Sequence, residues 1–421
     1  MSRRIVFIAI ENFNRELAGK KLLARELSLN GYVVFIGHKS ILRSLLKIFP
    51  QKNHIFIDKG VTVGSSKRIK RLKKAGMFIF SFDEEALMQT DCRRYSRFNH
   101  EQESIKNIDG IFCWGPNHKQ MLKEIGYENK QIIQTGNPRF DIYKLKKKTK
   151  INNHKKYILI CSRFCMLRAS EMQANNEDFI GPTRTIYKEF LGIPKLIRES
   201  NIVTPILIRP HPSEPINDWI SATKNLRDIS ISNKGPLSKI FQDSILMIHN
   251  RSTSGIEAYI SGLPVISFEP IELDEPPHPP KEFITSFSNY VANSKKEVIK
   301  NIDNILKGKS LLKTNKNSVN KYLFSFNELS YKKITEFIYK NYPNNFHSLF
   351  KADFILIIFL ILIIYIYHYF LKMFLRIFNY DQFQYTKNKR GKFFNDENLK
   401  ESNRKIKKFR FCSVDIYFPC K

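Results

Sequence analysis

Acidic residues are scarce in this sequence: 39 Asp and Glu stand against 70 Lys and Arg, a formal net charge of +31. Such an excess points to a polyanionic partner, whether nucleic acid, an anionic membrane surface or a phosphate-bearing substrate. No nucleic-acid-binding motif accompanies the charge, so a specific nucleic-acid binder is the weakest of these. Cysteines are also few, six in 421 residues, and none forms a C-x-x-C pair; Cys161 and Cys165 are four apart. That spacing excludes an ordinary zinc site and a disulfide framework, and fits a reducing compartment. No D-x-D occurs, so the commonest carboxylate pair for a divalent metal beside a nucleotide is missing. The apolar run after the basic start, Ile5–Ile10, is too short for a signal peptide and reads as a first buried strand.

What is present alternates. Strand-like runs at Ile5–Ile10, Tyr32–Ile36, His54–Ile57, Met77–Ser81, Gly110–Cys113 and Gln131–Gln134 are separated by helical stretches such as Glu16–Leu29, which Gly31 closes. After a basic, turn-rich stretch the pattern restarts at Lys156–Cys161. It continues through a helix over Thr183–Glu199 and strands at Val203–Pro210, Asp228–Ile231, Ile245–Ile248 and Pro264–Phe268, to a closing helix at Lys295–Lys307. Short apolar strands between helices predict doubly wound parallel sheets. The expected organisation is a first Rossmann-like domain over 1–138, a linker over 139–156 and a second Rossmann-like domain over 157–340. The apolar run Phe354–Leu371 has one His and no full charge, which predicts a membrane segment over 354–376. A basic tail, 377–421, would then face an anionic inner leaflet.

The chemistry concentrates in a few stretches. In "HNRSTSGIEAYISGLPVISFEP", Ser252, Thr253, Ser254 and Gly255 fall between a strand and a short helix. Ser254 followed by Glu257 fits a capping box, placing the helix start at Ser254. Free N–H groups and hydroxyls there suit a phosphate, and Gly255 would let it approach the backbone. In "LIRPHPSE", two prolines hold His211 extended at a strand end, and Arg209 and His211 can donate to phosphate oxygens. Arg163 and Arg251 are further cations for that phosphate. In the first half, Asp83, Glu84 and Glu85 follow a strand, and crowding of like charge would raise a carboxylate toward use as a general base; Glu84 is the first choice and Glu85 the second. "TGNPRFD" reads as a tight turn at the domain junction, with Gly136, Asn137 and Arg139 as junction residues.

Together, "RPHP", "STSGIEA" and "GLPVI" resemble the donor half of GT-B glycosyltransferases. With "FSFDEEAL", "IFCWGPNHKQML" and "QTGNPRFD" they resemble bacterial surface-carbohydrate biosynthesis proteins over about residues 1–310. These are similar to capsule Kdo transferases and bacterial sialyltransferases. The resemblance implies two Rossmann-like domains facing a cleft, a CMP-sugar co-substrate and no other cofactor or metal. It implies a phosphate contacted by His211 and Ser252–Ser254, and an acidic base from the first domain. The expected partners are a nucleotide-sugar donor, a glycan or lipid-linked acceptor and an anionic membrane, with the enzyme at the cytoplasmic face of a bacterial inner membrane. "TGNPRFD" also resembles a block of CDP-glycerol glycerophosphotransferases, which keeps a polyol-phosphate transferase open. A UDP-sugar 2-epimerase of the same architecture and a non-catalytic membrane-bound assembly factor stay open beside it.

Overall fold

The structure is a computed structural model. It describes residues 4–50, 52–62, 64–84, 86, 100–145, 157–164, 177–211, 214, 216–271, 286–309, 316–324, 328–344, 355–367, 406–411 and 414–419, some of them by backbone only. The chain divides into two compact units, one of Met1–Ile142 with Lys321–Lys421, the other of Tyr143–Asn320.

The first unit carries strands β1 (Ile5–Ile10), β2 (Val33–His38), β3 (Ile55–Asp58), β4 (Phe78–Ser81), β5 (Gly110–Cys113) and β6 (Ile132–Gln134). They pair in parallel in the order β2-β1-β3-β4-β5-β6. β1, β2 and β3 are buried along their whole length, as continuous apolar runs in a parallel sheet must be. Helix Phe13–Leu29 buries Phe13, Leu17, Leu23, Ala24 and Leu27 on this sheet's core, and Gly31, at φ 94°, ends it in the left-handed conformation.

In the second unit, β7 (Tyr157–Cys161), β8 (Ile206–Arg209), β9 (Ile229–Ile231), β10 (Ser244–His249), β11 (Val265–Phe268) and β12 (Tyr290–Ala292) form a parallel sheet in the order β12-β11-β10-β7-β8-β9. Its core joins Ile158, Ile160, Ile208, Ile248 and Ile266 to Phe190 and Trp219. The single helix expected over Thr183–Glu199 is two, Glu177–Leu191 and Ile193–Glu199. Gly192 separates them and Pro194 occupies the first turn of the second, where its missing N–H costs nothing.

Three elements lie where the sequence did not place them. Helix Ser330–Asn341, not picked out in the sequence, belongs to the first unit: Tyr331 N–H donates to Asp141 Oδ2 at 2.8 Å, and Tyr32 Oη donates to the Tyr342 carbonyl at 2.9 Å. Phe78, Phe80 and Phe337 gather around Tyr342 there, an aromatic cluster whose members are too far apart in sequence to be seen as one. The basic tail supplies a hairpin, β13 (Ile406–Phe411) and β14 (Val414–Pro419), that adds antiparallel to β2 at the sheet edge, with Val414 and Ile416 buried. The tail thus covers an edge strand instead of a lipid leaflet.

The membrane anchor is corrected as well. Among the described residues no helix is long and apolar enough to cross a membrane. The described helix in the apolar run spans 355–367, about 20 Å at ~1.5 Å per residue, against a hydrocarbon thickness of ~30 Å. It buries Ile357, Ile361 and Ile364 on one stripe. Residues 354 and 368–376 lie outside the described residues. The expected place at an inner membrane rested on this segment and falls with it.

Candidate active site

In an open parallel sheet, ligands bind beyond the carboxyl ends of the strands, where the strand order reverses. In the second unit the chain runs outward from β7 through β8 to β9, then returns to place β10 on the other side of β7. The reversal therefore lies between Cys161 and His249, which are paired in register. Arg209 pairs with Cys161 and Ser267 with His249 along the same edge. The loop that follows β10 there is Asn250–Ser252, leading into helix Thr253–Ile260.

Ser252, not Ser254, is the N-cap of that helix. Its Oγ accepts from Ser254 N–H at 3.3 Å and is 2.7 Å from Ser254 Oγ. The capping box predicted from Ser254 and Glu257 does not form, because Glu257 faces inward and accepts from Tyr143 Oη at 3.0 Å. Two half-buried residues, Thr253 and Ser254, stand with hydroxyls at a helix N-terminus on the reversal edge. That is the chemistry a phosphate requires.

His249 holds this turn. Its Nδ1 accepts from Ser252 N–H at 3.2 Å, and its ring lies against Gly255, whose added Cβ would come within 2.6 Å of Cε1 and 2.9 Å of Cδ2. Gly255 is thus small to admit the imidazole, rather than a ligand as expected. Asn250 Nδ2 donates to the Phe268 carbonyl at 2.8 Å, and Arg251, at φ 44°, is buried and donates Nε to Glu269 Oε2 at 2.7 Å. Ser267 Oγ donates to the other Glu269 oxygen at 2.7 Å. Arg251, considered as a phosphate ligand, is instead part of a buried ion pair under the loop. Cys161, at the end of β7, is buried, and burial pushes its thiol up to about 12, far from a reactive thiolate.

Of the RPHP stretch, His211 is exposed beyond the end of β8. Arg209 is tied to the backbone, with Nη1 donating to the Lys234 carbonyl at 2.7 Å and Nη2 to the Gly235 carbonyl at 2.9 Å. Glu214 was not singled out from the sequence, yet it anchors the loop. Its carboxylate accepts from Ser162 Oγ at 2.6 Å, Phe164 N–H at 2.5 Å and Trp219 Nε1 at 3.3 Å. A glutamate three residues after His211, inside a proline-stiffened stretch, was the available signal.

In the first unit, Asp83 and Glu84 are both buried. Burial would raise the Glu84 carboxyl, but Lys20, with Nζ 2.5 Å from Oε1, holds it below its ordinary range; Asn137 Nδ2 donates to Oε2 at 3.2 Å. Burial likewise opposes ionisation of Asp83, yet hydrogen bonds from His100 and His118 hold it well below the usual carboxylate range. The raised pKa expected from crowding is therefore not found at either residue. It appears at Glu16, lifted by burial and by the Glu84 charge. The Glu16 oxygens accept from Glu11 N–H and Asn12 N–H, each at 3.1 Å. Glu85 lies outside the described residues. Lys20 could have been noticed, since with Phe13, Leu17, Ala24 and Leu27 it falls on the buried stripe of its helix.

Gly136 and Asn137 lead into a 3-10 turn, Pro138–Phe140, with Asn137 Oδ1 accepting from Arg139 N–H at 2.9 Å. Gly136, at φ 79°, requires glycine, and Arg139 is buried. Gly19 of helix Phe13–Leu29 passes close to this turn: an added Cβ would meet the Pro138 carbonyl carbon at 2.6 Å.

No family model and no curated protein matches the sequence. Solved structures do resemble it. A co-structure of S. aureus MnaA with UDP superposes with TM-score 0.51 at 14% identity, covering 80% of this chain and 96% of that one. A Listeria monocytogenes chain given as a UDP-N-acetylglucosamine 2-epimerase has TM-score 0.54 and 15% identity over 82% of this chain and 100% of its own. The fold is GT-B-like. A third GT-B-like relative, the UDP-GlcNAc 2-epimerase of Methanocaldococcus jannaschii in complex with UDP-GlcNAc and UDP, has TM-score 0.52 and 14% identity, covering 80% of this chain and 99% of that one.

Two of the buried histidines that accept from backbone N–H groups, His54 and His249, give a pH prediction. His54 Nδ1 accepts from Ile5 N–H at 3.2 Å, as His249 Nδ1 does from Ser252. Burial, helped by Arg4 and Arg163 respectively, pushes His54 down to about 4 and His249 to about 3. An unfolded histidine titrates near ~6.5, so below that pH the unfolded chain takes protons the folded chain refuses. Stability is full above pH ~6.5 and falls toward pH 4, by about 1.4 kcal/mol per pH unit for each histidine. Denaturant midpoints between pH 7.5 and 4.5 check this: the double variant His54→Asn, His249→Asn is expected to lower the slope by about two protons, and an unchanged slope refutes it.

Proposed function

We propose that the chain is an enzyme acting on a nucleotide-activated sugar in bacterial surface-glycan metabolism, with the nucleotide phosphate held at the start of helix Thr253–Ile260. The observation that carries this reading is the cluster of Ser252, Thr253 and Ser254 at the helix N-terminus, on the edge where the strand order reverses and where β8 also delivers His211. Uridine diphosphate is the first nucleotide to test, because the similar structures named above are UDP-binding or UDP-sugar proteins. Epimerisation of a UDP-sugar at C2 is then the leading reaction. With Asp83 and Glu84 committed to buried partners, Glu85 is the carboxylate assigned to proton transfer in either reaction below.

Glycosyl transfer from a CMP-linked donor to a glycan acceptor is the second reading. It is favoured by the pairing of RPHP with the Ser/Thr turn at one sheet edge. Neither reaction, as proposed, draws on a metal.

Thermal melting with UDP, CMP and CDP, repeated on His211→Ala and Ser254→Ala, tests binding. UDP is expected to raise the wild-type Tm, and both substitutions to remove the shift; at a hundredfold excess over Kd the stabilisation is about 2.7 kcal/mol. A shift with CMP alone moves the assignment to the transferase. A shift that survives both substitutions refutes the phosphate site. Incubation with UDP-GlcNAc, followed by separation of the C2 epimers, tests the reaction, and Glu85→Gln is expected to lower kcat about a hundredfold or more. Binding without turnover of any donor would leave the non-catalytic reading.

A further inference from the structure

The first sheet also reverses its strand order, between β1 and β3, and the groups beyond that edge are unusually cationic. Glu11 follows β1, Lys39 follows β2, and Asp58 with Lys59 closes β3. Glu11 is shared by two ammonium groups, Lys39 Nζ at 2.6 Å and Lys59 Nζ. Asp58 is shared by two guanidinium groups. Arg43 binds it with Nε at 3.2 Å and Nη2 at 2.7 Å, and Arg68 with Nη2 at 3.0 Å. Lys59 N–H adds a fourth hydrogen bond to Asp58 at 2.9 Å, so this carboxylate has no capacity left. Among the described residues, four cations thus pair with these two carboxylates.

We propose that this patch, Lys39, Arg43, Lys59 and Arg68, is a second anion site that takes a phosphoryl group, which in the transferase reading belongs to the acceptor. The four cations outnumber the two carboxylates they pair with, and Glu16 near Lys59 and Arg71 near Arg68 add one charge of each sign. The donors are directed but not exhausted: Arg68 gives one N–H to Asp58 while its Nε is buried without a partner. Lys39 is 28% exposed and Arg43 is 22% exposed at the side chain, so the patch is reachable from solvent yet shielded enough for charge to count. Burial and like charge both act on the cations of the patch. Burial, then Lys59 and Arg43, holds the Lys39 ammonium below its ordinary value, and burial together with Arg43 and Arg71 does the same to Arg68. An arriving anion relieves that repulsion. The helix Lys39–Ile48 also begins here, with its Ser40 N–H capped by His38 Nδ1 at 3.2 Å. Assignment to a substrate rests on the transferase reading above, whereas the anion site itself does not.

Isothermal titration of the full chain with inorganic phosphate, at constant ionic strength, tests the site. Each single variant, Arg43→Gln or Arg68→Gln, leaves Asp58 paired with the other arginine, so the fold keeps a cation at that carboxylate. Saturable binding is expected in the wild type, weakened about tenfold in each variant, as for loss of one charge-assisted hydrogen bond, and largely kept in Arg68→Lys. Lys195→Gln, at an exposed lysine of the other unit, is expected to leave phosphate binding unchanged. No saturable binding, equal affinity in both arginine-to-glutamine variants and wild type, or an equal loss in Lys195→Gln overturns the site. A hexose 1-phosphate that competes for it supports a substrate phosphoryl group, and one that fails to compete overturns that assignment. If UDP and CMP do not bind while phosphate does, the enzymatic reading has failed and the anion site stands.

Discussion

Replacing Lys20 by methionine is expected to destabilise the protein by about 3–5 kcal/mol, the cost of stranding a buried charge. The Lys20 side chain is 2% exposed and Glu84 is fully buried, with 2.5 Å between Nζ and Oε1. The ammonium also lies over the Phe82 ring at 2.9 Å from its centroid. Without it, Glu84 keeps the Asn137 amide and the charges of Arg15 and Arg139, while Glu16 stands near as a second carboxylate. Glu84 must then protonate to remain inside, so the variant is expected to recover part of its stability as pH falls from 8 to 5. The wild-type ion pair works the other way: Glu84 is held low, and its contribution is full at neutral pH and lost only as pH falls through that lowered value. The double variant Lys20→Met, Glu84→Gln is expected to be closer to wild type than Lys20→Met alone, because neither member of the pair is left charged and unpaired. Denaturant unfolding of the three proteins decides the matter. A loss under about 1 kcal/mol in Lys20→Met, or a double variant less stable than the single, refutes it.

The second large effect falls on the phosphate turn. Gly255→Ala is expected to cost about 1–3 kcal/mol, the usual range for overpacking a well-filled site. Its Cβ would enter the His249 ring, at 2.6 Å from Cε1 and 2.9 Å from Cδ2. The ring has little room to yield, since it is wholly buried, its Nδ1 holds Ser252 N–H, and Cys161 and Ser267 flank it in register on the neighbouring strands. The helix start must shift instead, carrying the Ser252 and Ser254 hydroxyls with it. Nucleotide affinity is therefore expected to fall about tenfold or more, the value of a lost hydrogen bond to a charged group. The double variant Gly255→Ala, His249→Asn tests the cause. Asparagine is smaller and can still accept from Ser252 N–H, so both stability and affinity are expected to recover in part. Affinity that stays at the wild-type value in Gly255→Ala would show that this turn does not hold the nucleotide.

Sequence alone determined what depends on neighbours along the chain. Strands β1 and β5 were legible to the residue, and most others to within one to three residues, because parallel strands buried on both faces must be continuous apolar runs. Gly31 as a helix stop followed from the same local logic. Ser252–Ser254 and His211 stood out because small hydroxyls at a strand-to-helix turn, and a histidine between prolines, carry their chemistry in their immediate context. Tertiary structure decided whatever depends on which distant residues meet. Whether a carboxylate is a base or half of an ion pair is set by Lys20, sixty-four positions from Glu84, and no pattern near Glu84 reveals it. Gly255 looked like an opening for a ligand until His249 filled the space. The tail's alternating Ile406–Phe411 and Val414–Pro419 looked like a charged appendage because the edge it covers, β2, lies nearly four hundred residues earlier. Local preference writes the elements; burial and charge pairing between remote elements assign their roles, since those energies exist only once the chain has folded.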